Sequence, residues 1–149
     1  MSRPAEILLV EDNPDDAELT IGALERHNLA DRIIVARDGA EALELLHGEL
    51  AHQFAFVMLD LKLPKILGHE VLRRVRADSR TRRLPVIILT SSGEPRDIVE
   101  GYDNGANSYV RKPVEFDEFT HAVVQLGLYW AVLNEIPDTD QAPAPATPS

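Results

Sequence analysis

Five short apolar runs, each followed by a longer amphipathic stretch, constrain the fold of this chain more than any other feature of its sequence. The runs are short, mostly rich in Val, Ile and Leu, and span residues 7–10, 33–36, 54–59, 86–89 and 108–110. Such runs are typical of strands buried on both faces of a parallel sheet, and the stretches between them are typical of crossover helices. The pattern predicts an α/β domain, with a five-stranded parallel sheet and helices on both of its faces.

The first helix has a clear start signal. Asn13 is a natural N-cap, Pro14 suits the first helical position, and Asp15 and Asp16 fall in the first turn, where the helix dipole favours anions. These residues predict a helix over residues 14–27. Apolar residues at helical spacing and a further proline predict four more helices, over residues 40–50, 68–77, 95–104 and 116–134.

The length of 149 residues suits a single domain with one core. From residue 137 the sequence is rich in Pro and Ala and contains no large apolar side chain. We therefore expect one domain over residues 1–136 and a disordered tail over residues 137–149.

Composition excludes several classes of function. Fifteen Lys and Arg against twenty-five Asp and Glu give a net charge of −10, which repels nucleic acid and anionic lipid. The chain has no cysteine, which excludes disulfides, thiol chemistry and cysteine-based zinc sites. No apolar run approaches the roughly 20 residues of a membrane span, and no signal peptide is visible. We expect a cytoplasmic protein with no nucleic-acid or membrane partner.

Chemically active side chains follow four of the five predicted strands. Glu11 and Asp12 come after the first strand, Asp60 after the third, Thr90 after the fourth and Lys112 after the fifth. The carboxyl ends of parallel strands meet at one edge of a sheet, where open α/β sheets bind ligands. These side chains become neighbours if the first strand lies centrally, in the strand order 2-1-3-4-5.

Each of these residues has an ordinary structural explanation when taken alone, as a helix cap, a strand end or a solvated charge. Together they predict a metal site, because carboxylates about 5 Å apart repel each other by roughly 3 kcal/mol at an effective dielectric constant of about 20. Mg²⁺ is bound by a few carboxylates and commonly completes its shell with phosphate oxygens. A cation, an ammonium and a hydroxyl suit phosphoryl transfer, and Asp60 is the best-placed nucleophile for forming an aspartyl phosphate.

Five motifs, in this order and spacing, resemble the receiver domain of two-component response regulators. They are Glu11-Asp12 after ILLV, Asp60 ending FVMLD with Pro64 and Gly68 four and eight residues on, Thr90 ending VIILT, Tyr109, and, three residues after Tyr109, Lys112-Pro113. The resemblance covers residues 5 to about 134. It implies a flavodoxin-like fold that accepts a phosphoryl group from a sensor histidine kinase onto Asp60.

The resemblance also implies which groups hold the metal and the phosphoryl group. Mg²⁺ would be bound by the side chains of Glu11, Asp12 and Asp60 and by the backbone carbonyl of Lys62. Lys112 would contact the phosphoryl group, and the peptide bond that follows it, to Pro113, is a candidate for the cis form.

The remaining implied roles concern the switch. The Thr90 hydroxyl would also contact the phosphoryl group, and Tyr109 would turn inward behind it. Lys62 and Ser92, expected on the access side of the acceptor, would tune the lifetime of the phosphoryl group.

Four segments, VEDNPDDAEL, DLKLPKILGHEVL, LPVIILTSS and KPVEFDEF, are similar to those of small regulators partnered with phytochrome-type sensor kinases. This similarity implies a stand-alone regulator that catalyses only its own phosphorylation and dephosphorylation. We expect it to signal through protein contacts, since no output domain follows the receiver before residue 149.

The last predicted helix carries two apolar faces. Its expected core stripe is Phe116, Phe119, Val123, Leu126, Trp130 and Leu133, and its second set is Val124, Leu128, Ala131 and Val132. Either the tail covers the second set or a second copy of the chain packs there, which would make a homodimer through this helix.

Two groups of charged or titratable residues are predicted to lie on the surface. The five histidines, His27, His47, His52, His69 and His121, share no ligand spacing. The basic stretch between residues 73 and 83 is typical of a solvated helix end, and docking to an acidic partner is the alternative.

Two other functions are alternatives to phosphoryl acceptance with signalling output. A haloacid-dehalogenase-like phosphohydrolase also uses a strand-end Asp with Mg²⁺, but it needs an acid two residues later, where this chain has Lys62. A receiver-like scaffold, or a phosphorelay intermediate without its own output, is the second alternative. Scaffolds of this kind usually lack part of the acidic cluster or the lysine, and both are complete here.

Overall fold

The computed structural model describes residues 6–48 and 53–135. Within these ranges strands and helices alternate along the chain. The strands are β1 (Glu6–Val10), β2 (Arg32–Ala36), β3 (Phe54–Leu59), β4 (Val86–Thr90) and β5 (Ser108–Arg111). The helices are α1 (Pro14–Arg26), α2 (Gly39–Leu46), α3 (Gly68–Ala77), α4 (Pro95–Asp103) and α5 (Phe116–Gly127), and a π-helix (Leu128–Leu133) continues α5.

The five strands form one parallel sheet in the order β2-β1-β3-β4-β5, which confirms the predicted flavodoxin-like topology. The register aligns the carboxyl ends of the strands. Val10 pairs with Ala36 on one side and with Leu59 on the other, and Leu59 pairs in turn with Ile88. The residues that follow these strands therefore emerge side by side at one edge of the sheet.

The sheet is buried on both faces because side chains alternate along each strand. In β1, Ile7 and Leu9 join a cluster with apolar residues of α1 and α5, whereas Leu8 and Val10 join a second cluster with residues of α2 and α3. All four β1 side chains are at most 2% exposed. Helices therefore cover both faces of the sheet, as predicted.

Most predicted boundaries lie within one residue of those observed, but the expected end of the second helix at residue 50 is wrong. Helix α2 ends at Leu46, and the N–H of the next residue, His47, donates to the carbonyl of Leu43. Gly48 follows, and glycine in a helix costs about 1 kcal/mol relative to alanine. The helix stops before this residue.

The α-helix that begins at Phe116 also ends earlier than expected, at Gly127, and a π-helix takes over. Its geometry is seen in the N–H of Asn134, which donates to the carbonyl of Tyr129, five residues earlier. The wider turn moves later residues to other faces than an α-helix would. Phe119 and Val123 are buried as predicted, but Leu133 is 62% exposed and does not belong to the core. Phe116, at the first residue of α5, is also exposed.

Arg76 corrects the prediction that the basic stretch is solvated throughout. Its half-buried guanidinium donates to the backbone carbonyls of Gly105, Thr81, Arg82 and Leu84 and to the side chain of Asn107. These bonds tie α3 to the segments that precede β4 and β5. Its neighbours Arg73 and Arg74 are exposed, as predicted, and pair with Glu70.

The tail predicted over residues 137–149 and His52 lie outside the described residues. No helix in the described part of the chain is both long enough and apolar enough to cross a membrane.

Gly68 fixes the path of the chain between β3 and α3. A Cβ atom at this position would lie 2.4 Å from the carbonyl oxygen of Asp60 and 2.7 Å from the Cα of Leu61. The N–H of Gly68 also donates to the carbonyl of Leu61 over 3.0 Å. The start of α3 therefore packs directly on the backbone that presents Asp60.

We expect Gly68→Ala to lower the free energy of unfolding by about 1–3 kcal/mol, because the added methyl group must push this backbone aside. Gly22→Ala is the matched control, since its methyl group would meet only the flexible end of Arg26. That variant should be neutral or more stable by about 0.5–1 kcal/mol, as usual for glycine inside a helix. Urea denaturation measures both, and equal effects of the two substitutions would contradict the close approach at Gly68.

Candidate functional site

Backbone hydrogen bonds carry the sheet pattern past the ends of the strands and bring the predicted residues together. The N–H of Glu11 donates to the carbonyl of Ala36, and that of Asp60 donates to the carbonyl of Val10. The N–H of Lys112 donates to the carbonyl of Thr90 over 2.7 Å. The ends of all five strands, which are distant in sequence, thus meet at one edge of the sheet.

Three carboxylates meet at this edge of the sheet. Glu11, Asp12 and Asp60 each place a carboxylate oxygen within 4.8 Å of the others. Glu11 and Asp60 are 2% and 7% exposed, whereas Asp12 faces solvent. Carboxylates this close repel one another strongly unless a cation lies between or beside them. The donor set consists of oxygen atoms and carries three formal negative charges, so it fits a hard divalent cation such as Mg²⁺.

Lys112 is the positive charge of the site. Its Nζ lies 2.6 Å from Glu11 Oε1 and 3.0 Å from Asp60 Oδ2, and its side chain is only 8% exposed. Burial by itself would lower the pKa of Lys112, but the hydrogen bond to Glu11 and the negative charge of Asp60 outweigh burial and raise it. The ammonium therefore stays charged across the physiological range.

Asp16 is a third partner of Lys112, and sequence reasoning missed it. Its Oδ2 lies 3.0 Å from Lys112 Nζ. The sequence pattern assigned Asp16 only to the first turn of a helix. The signal that would have found it is its position one helical turn after Asp12, on a helix that starts at the same edge of the sheet.

Glu11 is the most deeply buried of the three clustered carboxylates. Burial raises the pKa of Glu11 to about 7, even though the hydrogen bond and the charge of Lys112 act in the opposite direction. Its second oxygen, Oε2, accepts the N–H of Asn13 over 3.2 Å.

Both oxygens of Asp60 are hydrogen bonded. Oδ1 accepts the hydroxyl of Thr90 over 2.8 Å and the backbone N–H of Lys62 over 3.2 Å, and Oδ2 accepts Lys112. Thr90 is completely buried, so its hydroxyl is directed at the carboxylate away from solvent. The side chain of Lys62 is exposed, and the carbonyl of this residue stays a predicted metal ligand.

Tyr109 is linked to the segment that follows β4. It is half-buried, and its hydroxyl donates to the carbonyl of Ser92 over 2.9 Å. Burial raises the pKa of the Tyr109 phenol, so it remains a hydrogen-bond donor. The predicted inward side chain of the switch is therefore already in contact with the β4–α4 segment.

The Ser92 side chain is bound to α4. It is 6% exposed, and its hydroxyl donates to Asp97 Oδ2 over 2.5 Å. The hydroxyl lies against α4 because Asp97, in the first turn of that helix, accepts it. A role for Ser92 in phosphoryl lifetime stays a prediction.

His69 extends this group of contacts and corrects its predicted surface position. Its Nε2 lies 3.4 Å from Asp97 Oδ1 and 3.8 Å from Glu100 Oε1, and its side chain is 13% exposed. The start of α3 packs against the start of α4 here, a contact that histidine spacing in the sequence could not reveal. His27 and His121 are exposed, as predicted.

The peptide bond between Lys112 and Pro113 is not cis, because no cis bond occurs among the described residues. The sheet hydrogen bond from Lys112 to Thr90 and the three carboxylates around its ammonium direct Lys112 into the site with the bond in the trans form.

A flavodoxin-like sheet with three clustered acids, a buried hydroxyl and a buried lysine at its carboxyl edge defines a class of protein, that of phosphoacceptor signalling domains. The chain belongs to the response regulator receiver domain family, which it matches over residues 7–124.

A curated relative is the probable methanogenesis regulatory protein FilR2 of Methanothrix harundinacea. It is 40% identical over 137 residues, which cover 90% of this chain and 88% of FilR2. In two other curated relatives the chain spans only 57% and 53% of the longer protein.

Similar solved structures are response regulators, and two of them, RcpA and AtBRR, are described as phytochrome or bacteriophytochrome response regulators. The Mn²⁺-bound response regulator Rcp1 (30% identity) and the phosphorylated cyanobacterial phytochrome response regulator RcpA (32%) both have a TM-score of 0.83, and each match covers 90% of this chain and 99% of the other. The bacteriophytochrome response regulator AtBRR is 50% identical with a TM-score of 0.66, over 89% of this chain and 99% of AtBRR.

The raised pKa of Glu11 predicts how stability depends on pH in the absence of metal. The folded protein binds the Glu11 proton more tightly than the unfolded chain does, so this contribution is present below about pH 4.5 and is lost as the pH rises through about 7. In EDTA we expect the free energy of unfolding to fall between pH 5 and 8, by on the order of 2 kcal/mol from this group.

The measurement is the difference between the natural protein and Glu11→Gln, which isolates the contribution of this group. Urea denaturation at several pH values should give a curve for Glu11→Gln that lacks this fall. Parallel curves for the two proteins would show that Glu11 is not protonated in this range.

Proposed function

We propose that this receiver domain accepts a phosphoryl group from the phosphohistidine of a sensor histidine kinase onto Asp60. The observation that supports this most strongly is the environment of Asp60. Its buried carboxylate accepts hydrogen bonds from the Lys112 ammonium and the Thr90 hydroxyl. The other two acids of the cluster, Glu11 and Asp12, lie beside it.

In the proposed reaction one carboxylate oxygen of Asp60 attacks the phosphorus, while the P–N bond to the kinase histidine breaks. The electron pair of that bond remains on the ring nitrogen, and the product is an aspartyl phosphate. Glu11, Asp12, Asp60 and the Lys62 carbonyl would hold Mg²⁺, which when bound offsets the negative charge of carboxylate and phosphoryl oxygens. The presence of Mn²⁺ in the Rcp1 crystal structure supports a divalent cation.

Lys112 and Thr90 would respond to the new charge. Phosphorylation adds about −1.5 to −2 charge units, and Lys112 is the adjacent ammonium that can bind a phosphoryl oxygen. The Thr90 hydroxyl, which now donates to Asp60 Oδ1, would donate to the phosphoryl group instead.

The change at Thr90 would be transmitted through the segment that follows β4. The carbonyl of Ser92, two residues on, accepts the Tyr109 hydroxyl, and the Ser92 side chain binds Asp97 of α4. A movement of this segment would therefore alter α4 and β5 together. We propose that this face, with α5, carries the signal to another protein.

A phytochrome-type sensor kinase is the proposed phosphoryl donor. The similarity to RcpA and AtBRR, which are phytochrome response regulators, supports this choice. A cytoplasmic location is proposed with it. We also propose that the protein makes no nucleic-acid contacts, because its net charge of −10 repels polyanions. We propose no activity on other substrates, since the residue two after Asp60 is a lysine and not the acid that a related phosphohydrolase needs.

Asp60→Asn should abolish acquisition of a phosphoryl group from acetyl phosphate, and from a phytochrome-type kinase, because an amide cannot act as the nucleophile. Mass spectrometry of the intact protein measures the added phosphoryl group. Asp117→Asn, which removes a charge from an exposed position on α5, should be phosphorylated like the natural protein. Persistent labelling of Asp60→Asn would contradict the assignment of the acceptor.

Binding of beryllofluoride with Mg²⁺ separates this proposal from a scaffold that binds partners without phosphoryl transfer. Only an intact acceptor pocket binds the phosphoryl mimic, so a natural protein that does not bind it would favour the scaffold.

The π-helix supports the proposal of a homodimer. Leu128, Tyr129, Val132 and Leu133 are 41% to 62% exposed, and no residue of this helix is charged. Two copies with a net charge of −10 each repel one another, so a neutral apolar surface is where they can approach. This surface includes Leu128 and Val132 of the second apolar set in the sequence.

Val132→Asp should convert the dimer to a monomer by placing a charge in its interface. Val99→Asp is the control, because Val99 is equally exposed, at 60%, but lies on α4. Sedimentation velocity at micromolar concentration measures both. A natural protein that is monomeric, or an equal effect of the two substitutions, would remove this interface.

A further inference from the structure

The ion pair between Asp16 and Lys112 is a contact of the site that the proposed reaction does not explain. Of the three carboxylates around Lys112 Nζ, two belong to Glu11 and Asp60, which also form the cluster that fits a divalent cation. Asp16 does not belong to that cluster. Among the described residues it is therefore the carboxylate partner of Lys112 that a bound cation would leave available.

The backbone of Asp16 is held in place by two hydrogen bonds. Its N–H donates to Asn13 Oδ1 over 3.1 Å, and its carbonyl accepts the hydroxyl of Thr20 over 2.8 Å. Its side chain is 28% exposed, against 8% for Lys112. A partly buried carboxylate beside a buried ammonium interacts more strongly than two mobile charges on a surface.

A divalent cation would compete with Lys112 for the same oxygen atoms. Each negative charge of Glu11 and Asp60 that the ammonium holds is less available to the metal, and the two cations also repel each other. A further carboxylate outside the cluster reduces both effects, because it stabilises the ammonium without binding the metal.

We propose that Asp16 is a positioning residue for Lys112. It draws the ammonium toward α1, which frees Glu11 and Asp60 for the divalent cation and keeps Lys112 beside Asp60 for the incoming phosphoryl group. This inference rests on the proposed function, and it adds a residue that neither the family resemblance nor the strand-end pattern assigns to the site.

Asp15 provides a matched control. It precedes Asp16 in the first turn of α1, it is exposed, and its side chain makes no hydrogen bond or ion pair with the described residues. Asp15→Asn and Asp16→Asn each remove one negative charge from the same helix turn. A difference between the two variants therefore reports the contact with Lys112 and not the change in net charge.

The first measurement is calorimetric titration of the full chain with Mg²⁺. We expect Asp16→Asn to weaken binding by about three- to tenfold. Asp15→Asn should change the affinity by less than about twofold, since exposed charges at this distance are screened. Asp16→Glu keeps the carboxylate and should restore most of the affinity.

The second measurement needs no metal. The chain has three lysines, Lys62, Lys65 and Lys112, so trace acetylation in EDTA followed by mass spectrometry of peptides can compare them in one sample. Lys112 is buried and should react slowly in the natural protein and in Asp15→Asn. In Asp16→Asn it should react several-fold faster, while Lys65, whose side chain is 67% exposed, serves as the reference.

Faster acetylation together with weaker Mg²⁺ binding, in Asp16→Asn only, supports the proposal. Unchanged acetylation of Lys112 in Asp16→Asn overturns it, whatever the metal affinity. If Lys112 is acetylated faster in Asp16→Asn but this variant binds Mg²⁺ as tightly as Asp15→Asn does, the proposed effect of Asp16 on metal binding is overturned. If the lysines of the natural protein are acetylated as expected but the protein binds no Mg²⁺, the proposed function itself is refuted. This outcome is distinct from the others.

Discussion

The placement of one buried ammonium among three carboxylates is the interaction on which the rest of the site depends. Lys112 reaches Glu11, Asp16 and Asp60 from the end of β5, and these contacts join residues 101, 96 and 52 positions apart in the chain. Without this charge, two nearly buried carboxylates would face each other uncompensated, which proteins avoid. The Lys112 ammonium therefore offsets enough negative charge for the carboxylates to be buried together. The negative charge that remains can attract a divalent cation.

A second set of contacts leads away from the cluster. Thr90 binds Asp60, Tyr109 and Asp97 bind Ser92, and His69 binds Asp97. The path runs from Asp60, the proposed acceptor, along the segment after β4, to the first turns of α3 and α4. Since the Ser92 hydroxyl binds Asp97 in the first turn of α4, we expect a shift of the β4–α4 segment to alter the position of α4. This is the physical basis for expecting a local change of charge to alter a distant surface.

Much of the site was predictable because strand ends are easy to locate. Buried parallel strands need continuous apolar runs, and the first polar residue after such a run marks the edge of the sheet. Glu11, Asp60 and Thr90 were found in this way, and the structure brings them together. Asp16 and His69 were not, because each lies inside a helix pattern that has an ordinary explanation of its own. The trans peptide bond before Pro113 was missed for a different reason, since the resemblance to a family suggested the cis form.

Apolar periodicity and helix caps act over a few residues. The alternation of strands and helices, their order along the chain and the residues delivered to the sheet edge could therefore be predicted from the sequence. The folded arrangement was needed to show which carboxylates surround Lys112, that the Ser92 hydroxyl binds Asp97, and that the chain continues from Gly127 as a π-helix with Leu133 exposed. These features depend on distances between elements that are far apart in sequence, and on a small change of helix geometry that the apolar pattern of an α-helix does not contain.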